Sequence, residues 1–211
     1  MSSLAMLLTL TDSRLPTGGH VHSGGVEEAV TAGLVTDIAT LSAYLRRRIS
    51  TAGLVSASIA AAVHRGILNP ADGNAETDAR TTAPAARAAS RSQGRGLLRL
   101  AVRVWPEAVW EPLGARPHLA VIAGKVGEVS GLTPEQTALS IVYTTMTGAA
   151  SAAQRLLALD PADVAALTFE LAESCQRTAE LATTCLADLS DPLLDELAER
   201  HAARERPLFA S

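Results

Sequence analysis

The chain has 211 residues, 47% of them hydrophobic and only 3% aromatic, with a formal net charge of −4. That length fits one domain whose core is packed with Leu, Val, Ile and Ala. The acidic balance argues against general nucleic-acid binding, which needs a basic surface. Met1 to Leu10 is apolar but has no basic lead and runs straight into Asp12 and Arg14, so it is not read as a signal peptide. The longest uncharged run, Thr137 to Ala153, is short for a membrane span and dense in Thr, Ser and Gly. Cys175 and Cys185 fall on one expected helix, too far apart to bridge, which suits a soluble protein of a reducing cytoplasm.

Leu4, Leu7 and Leu8 share a helical face and give a short first helix, ended by Asp12-Ser-Arg-Leu-Pro16. Between Asp12 and Glu28 lie four glycines, two histidines, a proline and two glutamates, composing a shaped loop at 12–25 rather than a tether. Val26 to Leu34 reads as a second helix, capped by Ser23 or Gly24, with Glu27 and Glu28 in its first turn where acids complement the helix dipole. Thr36 or Asp37 caps a third, carrying Ile38, Leu41, Leu45 and Ile49. Gly53 is expected to break it before an apolar helix over Leu54 to His64, stopped by Gly66.

Asn69 to Ala83 reads as the least structured part. Pro84 opens a helix to about Val104, Trp105-Pro106 ends it, and His118 to Val129 forms another. Thr133-Pro-Glu-Gln136 is a capping box opening a helix to about Leu159. Asp160-Pro161 starts one expected to reach Leu189, and Ser190-Asp-Pro192 starts the last. No alternating strand pattern occurs. The expectation is an all-α, single-domain bundle over 1–211 with roughly eight to ten helices.

Chemistry is sparse. The glycine loop has no lysine for a phosphate loop, and His22-Ser23-Gly24 lacks the glycine and strand context of a nucleophile elbow. His20, His22 and Glu27, with Glu28 as base, are the one metal-like cluster, short of a complete ligand set. His64, His118 and His201 stand alone. Arg87, Arg91, Arg95, Arg99 and Arg103 recur every fourth residue. Ala79 to Pro106 holds six arginines and no acid, leaving the remainder at −10 against the chain's −4. This stripe either docks an acidic partner or is a solvated face paired to the acidic C-terminal helices. The small-residue run Thr147 to Ala153 permits close approach of a neighbouring helix, within the chain or from a second copy.

Leu7, Leu8, Leu10, Asp12, Ser13, Pro16, Gly18, His22, Ser23, Gly25 and Glu27 together resemble the N-terminal signature of the UreF family of urease accessory proteins. Arg87, Ser90, Gly94 and Arg95 resemble its Arg-x-x-Ser-x-x-x-Gly-Arg segment, and Arg155-Leu156 its Ala-x-x-Arg-Leu element. His201 and the tail at 207–211, with Leu208 and Phe209, resemble its ending. The chain departs from the family pattern at Leu159-Asp160, at Ala85, and where Pro207 follows an early Arg206.

The resemblance implies an all-α adaptor with no chemistry and no cofactor of its own. It would dimerise, bind the UreD (UreH) accessory protein and recruit the nickel-carrying GTPase UreG to apo-urease, without nucleic acid or membrane. Pro16, Gly18, His22, Ser23, Gly25, Glu27, Arg87, Arg95, Arg155, Arg206, Leu208 and Phe209 are then the expected partner contacts. Two alternatives are a metal-dependent hydrolase built on His20, His22 and Glu27, and a regulator of UreG that supplies an arginine of the stripe in trans.

Overall fold

A polar cap followed by proline starts four of the helices, because proline needs no donor there and the cap accepts an otherwise orphaned amide. The caps are Asn69, Thr133, Asp160 and Asp191, each accepting from a first-turn N–H at 2.8–3.3 Å. Thr133 and Gln136 close the expected capping box, and Asp37 forms another with Thr40. These signals lie in a computed structural model that describes residues 3–16, 22–188, 191–205 and 208–209.

Among the described residues there are ten α-helices and no strand: α1 (Ser3–Leu10), α2 (Val26–Thr31), α3 (Ile38–Arg48), α4 (Leu54–His64), α5 (Pro70–Arg80), α6 (Pro84–Val104), α7 (Leu119–Val129), α8 (Pro134–Leu157), α9 (Pro161–Ala182) and α10 (Pro192–Ala202). The all-α expectation holds. None of these helices is long and apolar enough to cross a membrane.

The core is organised on α4, where every residue from Leu54 to Val63 except Ser56 is buried. Helices α7, α8 and α9 pack around it. Leu41, Leu45, Ile49, Ile59, Ile122, Met146 and Leu171 are wholly enclosed, each contributing roughly 2 kcal/mol of transfer free energy. Cys175 joins this core, its thiol pushed up to about 11 by burial, and Cys185 is exposed; both are free. The apolar α1 touches only α8 strongly and leaves Leu4 and Leu8 largely exposed.

The structure corrects four local expectations. Gly53 does not break the chain: its φ is −62°, and Ile49–Gly53 forms a π-helical turn that runs α3 into α4. Residues 70–80 are a helix rather than a loop. Asn69 and Pro70 start it, and Gly73, read as a turn residue, is there for packing, since an added Cβ would meet Val63 at 2.9 Å and Val121 at 3.1 Å. Helix α9 stops at Ala182, where Thr183 and Thr184 fold back onto the Glu180 and Leu181 carbonyls. Neither Ser23 nor Gly24 is the cap of α2; Gly25 takes that position at φ 87° with no side-chain cap.

Candidate functional site

Two glycines steer the chain into α2. Gly24 and Gly25 both sit at positive φ (62° and 87°), a region open to glycine and costly for other residues. The Gly24 carbonyl accepts from the Tyr44 hydroxyl at 2.9 Å and from the Arg48 guanidinium. A Cβ on Gly24 would lie 2.7 Å from that guanidinium, so Arg48 would have to move aside to admit one. This turn carries Glu27 inward.

Glu27 is only 2% exposed, yet it is ionised and fully occupied. Its carboxylate meets His201 Nε2 at 2.8 Å and accepts the backbone N–H groups of Leu208 at 2.9 Å and Phe209 at 3.0 Å. Burial pushes the carboxyl up, but the Leu208 amide, His201 and the Phe209 amide outweigh it and hold the group below its ordinary value. Next to it, Arg204 bonds Glu28 and the Thr31 hydroxyl, both at 2.8 Å. One turn of α2 thus clasps the end of α10 and the tail beyond it.

Helix α10 is fixed at its other end by Asp191, whose carboxylate takes a forked bond from Arg47 (2.6 and 2.7 Å) and one from Thr51 at 3.1 Å. Burial raises the Asp191 pKa, but Arg47, the Leu194 amide and Thr51 bring it below the usual range. Asp191→Ala removes this fork and the α10 cap together. We expect a loss of about 2 kcal/mol, read as a lower urea midpoint with unchanged slope.

A cavity of about 880 Å³ opens beside the clasp, walled by residues 10–15 and 22–25, by α6, by the outer face of α8, and by Ala198 and His201 of α10. His22 is half-buried in its wall and Arg155 stands exposed at its α8 side.

The arginine-bearing segment forms a second constellation. Ser90 Oγ lies 3.0 Å from His118 Nδ1, and His118 Nε2 lies 2.8 Å from Asp78. Burial drives the His118 pKa down; Asp78 is held below its ordinary value, as His118 and Arg91 outweigh burial. The ring is therefore neutral, with Nε2–H donated to Asp78 and Nδ1 accepting from Ser90. Ser90 Oγ also accepts the Leu119 amide at 3.2 Å, and Asn74 accepts that of His118 at 2.9 Å. Arg87 holds the Thr81 and Thr82 carbonyls, and Arg91 bonds Asp78 and the Arg116 carbonyl. These residues join α5, α6 and α7.

The sequence-derived sites therefore divide. Ser23, Gly25 and Glu27 are turned into the fold, and Phe209 packs partly against the core, while Pro16, Arg95, Arg155 and Leu208 are exposed. Arg87 is committed within the chain. Gly18, His20, Arg206 and Pro207 lie outside the described residues. Arg95, Arg99 and Arg103 are exposed and enter no ion pair among the described residues. The acids of α10 do not pair with the stripe among the described residues; Asp195 and Glu199 instead accept the amides of Ala83 and Ala85 at the start of α6. Of the stripe's arginines, Arg87 and Arg91 turn to Asp78. Among the described residues no three His, Cys, Asp or Glu groups converge to hold a metal, and Glu27 and Glu28 are engaged by His201 and Arg204. Reading the sequence missed Arg47, Asp78, Asp191 and Arg204 as site residues, because their partners lie far along the chain.

The family model for UreF matches residues 35–172. The chain belongs to the UreF family of urease accessory proteins. It is 71% identical over 211 residues to the urease accessory protein UreF of Mycobacterium marinum, with both chains fully covered. Similar agreement, 72% over 214 residues and again complete coverage of both, relates it to the UreF protein of Mycolicibacterium vanbaalenii. The Mycobacterium tuberculosis UreF protein is 69% identical across both full lengths.

Proposed function

We propose that this protein is a cytoplasmic adaptor of urease maturation. It binds the UreD (UreH)-type accessory protein, recruits the nickel-carrying GTPase UreG, and presents the assembly to apo-urease. It performs no chemistry of its own and holds no resident metal; nickel is cargo of the assembly. The observation that carries this reading is full-length identity of about 70% to proteins named urease accessory protein UreF. The clasp supports it too. Tying the Leu208 and Phe209 amides to Glu27 fixes the tail backbone while leaving the Leu208 side chain 79% exposed, a preorganised apolar contact for a partner.

The adaptor acts as a homodimer, and the open side of α8 favours a second copy there. Tyr143 and Ser151 are exposed, and an added Cβ at Gly148 would meet nothing within 4 Å, so another helix has room to approach closely. The decisive experiment mixes the purified chain with the UreD- and UreG-type proteins, with and without GTP and Ni²⁺, and follows co-elution. A ternary complex that activates apo-urease is expected; absence of co-elution under every condition overturns the reading.

A regulatory role toward UreG has one observation in its favour, the exposure of Arg95, Arg99 and Arg103. An arginine acting in trans would make GTP turnover fall at least about a thousandfold in the matching Arg→Ala variant. Unchanged turnover leaves recruitment alone.

A further inference from the structure

Phe169 is one of two phenylalanines in the chain, and it is 81% exposed. It stands midway along α9, whose opposite face (Val164, Leu167, Leu171, Cys175) fills the core. At 100° per residue, Ala162, Ala165, Ala166 and Ala172 share its side of the helix, and all four are exposed. An aromatic ring therefore projects beside a row of methyl groups, with Glu173, Gln176 and Glu180 further along the same side of the helix. Glu173 and Glu180 continue that side and Asp163 and Glu170 flank it, all four exposed. Residues 160–182 contain five acids and one base, Arg177, which is already engaged by Glu173.

We propose that this face of α9 is a docking surface for a protein partner that is basic and carries an apolar pocket. Phe169 is the anchor, the alanines permit close approach, and the acidic rim selects the partner's charge. The occupant follows from charge. A carboxylate rim repels nucleic-acid phosphates and anionic lipid headgroups alike, and it attracts a surface of arginine and lysine. A large exposed aromatic beside small residues offers an anchor for an interface, with the carboxylates as its polar rim. The surface is separate from the clasp and from the α8 face.

The test rests on the adaptor reading for its choice of partners. The full chain, Phe169→Ala and Glu170→Lys/Glu173→Lys are titrated separately with the UreD-type protein, the UreG-type protein and apo-urease at 50 and 300 mM NaCl. Both variants should melt within about 2 °C of wild type, since the substituted side chains are exposed. For one partner, each variant should weaken binding at least about tenfold. The charge reversal should weaken it more at 50 than at 300 mM salt, and Phe169→Ala equally at both. Wild-type complexes that neither variant weakens overturn the proposal and leave the adaptor reading standing. Failure of wild type to bind any of the three overturns both. Self-association that needs Phe169 and the α6 arginines Arg99 and Arg103 would assign the face to a second copy and also overturn it.

Discussion

Glu27→Ala is expected to destabilise the protein by about 3 kcal/mol or more and to release the tail. Removing the carboxylate takes the Nε2 partner from a buried imidazole, and here two backbone amides lose their acceptor as well. Chemical denaturation would give the first quantity. Amide exchange at Leu208 and Phe209, slow in wild type and fast in the variant, would give the second. Unchanged exchange at those amides would sink the clasp as described. The same carboxylate predicts a pH dependence. Its folded pKa lies below its ordinary value of 4.5, so the stability it contributes is complete above that pH and is lost as the pH falls through the folded value. Protection of the tail amides, corrected for the intrinsic exchange rate at each pH, should therefore fall on acidification below about pH 4.5, and Glu27→Gln should flatten that response.

Gly94→Ala should be comparably damaging. An added Cβ would lie 2.1 Å from the Pro117 carbonyl oxygen, 2.9 Å from the His118 carbonyl carbon and 3.0 Å from the Leu119 amide. All three are backbone atoms and cannot swing aside, so α6 and α7 must separate. Overpacking of this kind costs about 3 kcal/mol, and the displacement also pulls Ser90 from His118 and Leu119. A melting temperature within about 2 °C of wild type would refute this account. Because Gly94 lies in a segment that reads as a partner contact, the result also separates roles. A structural glycine lowers stability, whereas a contact glycine lowers only complex formation.

Much of the architecture was legible because helix starts are written locally. Asp37, Thr133-Pro134, Asp160-Pro161 and Asp191-Pro192 all begin helices, since a cap needs only a side chain and an amide two or three residues on. Helix α5 was illegible for the opposite reason. Asp72-Gly73 has the chemistry of a turn, and only the approach of Val63 and Val121 explains a glycine there. The π turn at Ile49–Gly53 has no local signature at all. The clasp was half visible: Glu27 and His201 both stood out, but nothing local pairs groups separated by 174 residues. Arg87, Ser90 and Gly94 stand out in sequence likewise, but the structural role of Arg87 is hidden because Asp78, which receives Arg91 and His118, falls in a stretch that reads as the least structured.

The span of the clasp bears on the order in which the chain can fold. Glu27 leaves the ribosome long before residues 201–209, and α3, α4, α7 and α8 can assemble around the core in the interval. Throughout that interval its carboxylate faces water where α10 and the tail will lie, although α2 can already rest on α8. Closing a loop of this length brings little penalty beyond that of a shorter one, but it cannot begin until α10 exists. The Glu27 clasp is thus the last of these contacts that the emerging chain can close.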